Sequence, residues 1–115
     1  MSRIILTKYD NGDDHIVVGY DRPLHTFYWQ EFNQEPADWD ALTPDEQDAW
    51  DEMIGFAGYA PGEIRTVEQL RDTAPEHIKA AMMRVAGHDL FDMLNVHAML
   101  EYPESNRVVD LSDKE

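Results

Sequence analysis

The chain has 115 residues, 43% of them hydrophobic, and a formal net charge of −15. That length supports one domain around one core, and that hydrophobic share excludes a disordered chain. The charge repels nucleic acid and anionic membrane surfaces and favours a basic partner. The absence of cysteine excludes disulfides and thiolate metal sites and fits a reducing compartment.

The N-terminal run MSRIILTKYD returns to polar residues after three apolar ones, so it reads as no signal peptide. No apolar run reaches the length of a membrane span. The expectation is a cytoplasmic protein without membrane contact.

Arg3 to Tyr9 is rich in β-branched and apolar side chains and predicts a strand. Asn11-Gly12 is a strong hairpin signal, because both residue types tolerate positive φ. His15 to Asp21 is the returning strand. Ile16, Val18 and Tyr20 share one of its faces, and His15, Val17 and Gly19 the other. Pro23 has no amide proton and stops it. Leu24 to Phe32 predicts a third strand, with Phe27 and Trp29 on one face and Leu24, Tyr28 and Phe32 on the other. Aromatics on both faces place this strand centrally or cover it on both sides. A three-stranded meander of this kind needs helices against it.

Asn33 to Leu42 reads as a polar loop holding Pro36 and Trp39. Thr43 to Glu46 (TPDE) is a helix start: a threonine cap, proline at the first position and a glutamate completing a capping box. Trp50, Met53, Ile54 and Ala57 follow at helical spacing, so a helix is expected over 44–53. Gly55, Gly58 and Gly62 weaken its continuation, and residues 53–59 are open to a fourth strand. Thr66 to Gln69 is a second capping box, opening a short helix. Pro75 opens another, with Ile78, Ala81, Met82 and Val85 on one face and Gly87 as its stop. Residues 88–100 predict a last helix whose apolar side chains go most of the way round, which means deep burial or a second apolar face. Pro103 ends it. The expected domain is 1–103, followed by a polar tail, 104–115, in which Val108-Val109 offers an edge strand or a frayed end.

No constellation reaches a known chemistry. A helical metal pair needs ligands three or four apart, and His88 with Asp92 meets that spacing. His97 does not join them, and His15 and His25 lie on strands of unknown register. The glycines from Gly55 to Gly62 fit neither phosphate-loop spacing, and Glu63 repels phosphate. Carboxylates are too numerous for any one pair to indicate acid–base catalysis. No cofactor and no metal site is expected, and the chain reads as no enzyme.

The charge map carries more. No lysine or arginine occurs in the 42 residues between Arg22 and Arg65. Ten acids lie there: Glu31, Glu35, Asp38, Asp40, Asp45, Glu46, Asp48, Asp51, Glu52 and Glu63. Trp29, Phe32, Trp39 and Trp50 are interleaved with them. A dense acidic field speeds encounter with a basic surface, and an exposed tryptophan beside it supplies an apolar anchor. The plain alternative is a solvated acidic helix face whose tryptophans point into the core.

Residues 14–30 (DHIVVGYDRPLHTFYWQ) resemble a signature, HIVVGxDxPLxTFxxQ, of small uncharacterised proteins carried by bacterial chromosomes, plasmids and phages. Pro61-Gly62-Glu63 and Thr66 to Leu70 resemble its continuation. The acidic stretch 33–52 and helix 88–100 depart from it. The resemblance implies no activity. It implies that 53–59 can be a strand, and a mobile-element setting favours an inhibitor of host nucleic-acid-binding defences such as restriction or CRISPR complexes.

The sequence therefore leads to an α+β fold: a small antiparallel meander of about three strands, followed by three or four helices. The leading functional expectation is an acidic, non-enzymatic binding module that imitates DNA. Its site would be Glu31, Glu35, Asp38, Trp39, Asp40, Asp45, Glu46, Asp48, Asp51 and Glu52, set against a basic, nucleic-acid-binding protein. The alternative is an oligomerising accessory protein that self-associates through apolar helix 88–100. A third reading is a metal-dependent enzyme using His88, Asp92 and either His15 or His25.

Overall fold

The computed structural model describes residues 2–10, 12–34, 38–51, 53–84, 90–99 and 108–111. Its strands are β1 (Arg3–Lys8), β2 (Asp14–Asp21), β3 (Thr26–Phe32), β4 (Met53–Ala57) and β5 (Val108–Asp110). Its helices are α1 (Pro44–Ala49), α2 (Val67–Thr73), α3 (Glu76–Arg84) and α4 (Leu90–Met99), with a 3₁₀ turn at Trp39–Ala41. The class is α+β, as expected.

The strands form one sheet in the order β4-β3-β2-β1-β5. The expected meander is its centre. Val18 sits opposite Ile4 on one side and Trp29 on the other. The β1–β2 hairpin closes through Gly12, whose φ is 91° and whose amide donates to Tyr9 O.

Two strands exceed the expected three. β4 replaces the end of the expected 44–53 helix: Trp50 turns extended (φ −78°, ψ 124°) and stops α1 at Ala49. The spacing of Trp50, Met53, Ile54 and Ala57 fits a helix locally, but the free edge of β3 provides a ladder that wins. Gly55 lets β4 lie against the indole of Trp29, where a Cβ would sit 3.0 Å from Cζ3. The second addition is β5, the edge strand offered by Val108-Val109 in the C-terminal stretch. It pairs parallel to β1, which makes the sheet mixed, and Leu111 behind it is buried.

Helices α2, α3 and α4 cover one face. Ile4, Leu6, Ile16, Val18, Phe27 and Trp29 pack there against Val67 and Leu70 of α2, Ile78 and Met82 of α3, and Leu90 and Leu94 of α4. Fully burying one such aliphatic side chain contributes about 1.5–3 kcal/mol, so this layer dominates stability. The opposite face carries a smaller cluster of Ile5, Val17 and Tyr28, with Phe32 against it. The period-two split of Phe27 and Trp29 from Tyr28 and Phe32 is as expected. Gly19 is what lets Tyr28 cross β2: any Cβ there would meet the Tyr28 ring and Ser2 O. The Tyr28 hydroxyl donates to Ser2 O. Burial, ahead of the opposing charge of Arg3, pushes this phenol up, so it remains a donor.

The caps act as expected in part. Thr43 and Glu46 form a full capping box. Thr66 caps α2 by accepting from the Gln69 amide, but Gln69 Oε1 accepts from Arg65 N rather than from the cap. Residues 85, 87, 88 and 100, named for the helix ends, lie outside the described residues. Among the described residues no helix is long and apolar enough to cross a membrane.

Candidate binding surface

The acidic stretch 33–52 connects β3 to β4. These strands are antiparallel, and Phe32 pairs with Met53, so the stretch leaves and re-enters at one end of the sheet. Its described residues are held by contacts with one another. The Trp39 and Trp50 rings meet edge to face at 5.5 Å. Gln47 Nε2 donates to Trp39 O at 2.9 Å, and Trp50 Nε1 donates to Gln34 O at 3.4 Å. Both indoles are half-buried, and neither belongs to the two hydrophobic clusters. They fasten the loop rather than filling the core.

Asp38, Asp40, Asp45, Glu46, Asp48 and Asp51 are all exposed on this lobe. Asp45 and Glu46 occupy the first turn of α1, where the helix dipole favours negative charge. Glu46 is also held by the cap, accepting from Thr43 N at 3.2 Å. Among the described residues no ion pair engages the other five. Two exposed like charges ~8 Å apart in water repel by about 0.5 kcal/mol, so the lobe carries a standing repulsion that a cationic surface would relieve. Glu35 and Glu52 lie outside the described residues.

Glu31 does not join this lobe. It lies on β3 with 14% of its side chain exposed, clasped between two histidines. His77 Nε2 of α3 is 2.6 Å from its Oε1, and His15 Nε2 is 3.1 Å from its Oε2. Burial pushes the Glu31 carboxyl up, but the hydrogen bonds from His77 and His15, with their charges, together outweigh it and hold the carboxyl below its ordinary value. The Tyr9 ring packs tilted against His15 at 4.5 Å, and its hydroxyl donates to Phe32 O. Burial, then the charge of Glu31, pushes the Tyr9 phenol up. Sequence spacing gives no signal for this clasp, since its members are 16 and 46 residues apart.

Trp29 is buried beneath the helices and takes no part in the surface. Of the residues in the metal reading, His15 bonds Glu31, His25 sits in the β2–β3 turn with φ 49°, and Asp92 is exposed on α4. His88 lies outside the described residues. Among the described residues no three histidine, aspartate or glutamate side chains are grouped to hold a metal ion.

The apolar surface that sequence reasoning did not assign is on β4 and the segment just after it. Ile54, Phe56 and Tyr59 are 53%, 54% and 45% exposed. The rings of Phe56 and Tyr59 stack at 4.6 Å, and the Tyr59 hydroxyl accepts from Gln30 Nε2 at 2.7 Å. The segment left open between helix and strand is strand up to Ala57, and Pro61-Gly62 form the turn that follows. No protein-family model, curated protein or solved structure matches the chain.

Proposed function

We propose that this protein is a non-catalytic binding module that uses its acidic lobe to occupy a basic, nucleic-acid-binding surface on another protein. The observation that carries this reading is the lobe itself: six exposed acids on one segment, inside a 42-residue stretch without lysine or arginine. An acidic field of this density steers a basic surface toward it and competes with a phosphate backbone for the same cations. The resemblance of residues 14–30 to a signature of small plasmid and phage proteins fits an inhibitor of the anti-restriction or anti-CRISPR type.

The test is charge reversal of Asp45, Asp48 and Asp51 to lysine. The reading expects partner capture to disappear while the far-UV spectrum and the unfolding transition are kept. Undiminished capture by that variant refutes it.

A second reading rests on α4. Leu90 and Leu94 are buried, with Phe91, Met93 and Ala98 packed against the core, while Val96 and Met99 stand exposed. That pair, one turn apart, is a surface for self-association. An apolar dimer would persist at high salt, whereas a complex of the acidic lobe would not.

A further inference from the structure

Sheet edges expose backbone groups that pair readily with another chain, and proteins usually protect them. Here the two edges are treated differently. β5 is three residues long, and Asp110 on it is ion-paired to Lys8. β4 has five residues, MIGFA, with no charge and no proline. Among the described residues it pairs with β3 and with no strand on its other side. A register shift displaces Ile54, but Gly55, Phe56 and Ala57 keep regular pairing with Glu31, Gln30 and Trp29. Their outer backbone groups are in place for a further strand. The stacked Phe56 and Tyr59 rings stand beside them, held by Gln30 and by the contact of the Tyr59 hydroxyl with Met53 Sδ at 3.3 Å.

Charge decides what would fit. Asp51 lies two residues before Met53, within about 7 Å of chain. At the other end the Gly58 amide donates to Glu63 Oε2 at 2.6 Å, placing a carboxylate one residue past the strand. Each flank of the edge carries a carboxylate, with Arg65, which donates to Gly62 O, beyond the Glu63 end. A second copy added antiparallel would set the Asp51 end of each strand beside the Glu63 end of the other, between molecules of net charge −15. A self-paired dimer is disfavoured on that ground, and a cationic strand is favoured.

We propose that the outer edge of β4 is a strand-addition site for an extended basic segment of the partner protein. The segment's backbone pairs with Gly55 to Ala57. Its alternate apolar side chains lie on Phe56 and Tyr59, and its flanking lysines or arginines meet Asp51 and Glu63. The basic character of the occupant rests on the reading of the acidic lobe given above; the strand-addition mode does not.

The probe is a synthetic peptide of alternating valine and lysine with neutral ends, compared with two relatives. One has alternate backbone amides methylated, and the other carries glutamate for lysine. Titration calorimetry and amide hydrogen exchange are read on the full-length protein. The valine–lysine peptide is expected to bind and to slow exchange within β4. Methylation is expected to weaken it about thirtyfold, the loss of two ordinary backbone hydrogen bonds. The glutamate peptide is expected not to bind.

Equal binding of the methylated peptide overturns strand addition and leaves the acidic-lobe reading standing. Equal binding of the glutamate peptide overturns the basic occupant. Failure of the valine–lysine peptide to bind, or dimerisation protecting β4 without it, overturns the proposal as a whole. A Phe56→Lys variant, at an exposed position, is expected to keep the fold and lose the valine–lysine peptide.

Discussion

Glu31 and His77 join the sheet to α3: Nε2 of the histidine lies 2.6 Å from Oε1 of the carboxylate, while Oε2 meets His15. The carboxyl is held below its ordinary value, so its contribution to stability is complete above the ordinary carboxylate range. It is lost as pH falls through the folded-state value. Glu31→Gln should therefore reduce the stability difference between ~pH 6 and ~pH 3. At neutral pH the same change should cost about 1 kcal/mol, because His77 is largely exposed and its share is screened. Denaturant unfolding at the two pH values measures both. An unchanged acid limb would mean that the clasp contributes nothing.

Gly58 is a glycine that both backbone conformation and packing require. Its φ is 92°, and a Cβ would run into the Phe27 carbonyl and the Tyr28 backbone. Gly58→Ala should destabilise by about 3 kcal/mol, combining left-handed strain with a displaced β3. Gly12 has a similar φ of 91°, but a Cβ there would meet nothing within 4 Å, so Gly12→Ala should cost only about 1 kcal/mol. Thermal unfolding of the two variants separates clash from backbone strain.

Sequence periodicity captures the centre of the fold because Ile16 to Tyr20 of β2 and Phe27 to Phe32 of β3 alternate, and each face of β3 carries its own aromatics; the register shift at His15 has no such signal. It does not decide residues 50–57, where a helical spacing and a continuous apolar run coexist. The free edge of β3 settles that segment, and that edge is a tertiary fact. β5 is too short to carry a period of its own and exists by pairing with β1. In the candidate surface, the acids from Asp38 to Asp51 are legible as a charge gap. Glu31 falls in the same gap but not on the same surface, because its partners, His15 and His77, are remote in sequence. The tryptophans are the other ambiguity: Trp29 is core, whereas Trp39 and Trp50 hold the lobe through each other.

Trp39→Ala should loosen the lobe without unfolding the domain. Trp39 contacts Trp50 and belongs to neither core cluster, so the loss is local. Limited proteolysis should cut the variant within 38–51 much faster than the parent, while the global transition moves by less than about 1 kcal/mol. A collapse of the global transition would show that the lobe is part of the main folding unit.

Tyr28→Phe should cost about 1–2 kcal/mol, because it leaves the buried Ser2 carbonyl without the Tyr28 donor. The loss should be the same across neutral pH, since burial keeps this phenol protonated there. Chemical denaturation at several pH values checks both statements.

The most direct measurement is affinity capture from a bacterial lysate at low and moderate salt, with duplex DNA as competitor. The reading of the acidic lobe predicts a basic, nucleic-acid-binding protein that is retained at low salt, released by moderate salt and displaced by DNA. Capture that is indifferent to both salt and DNA, or recovery of nothing but the chain itself, would contradict it.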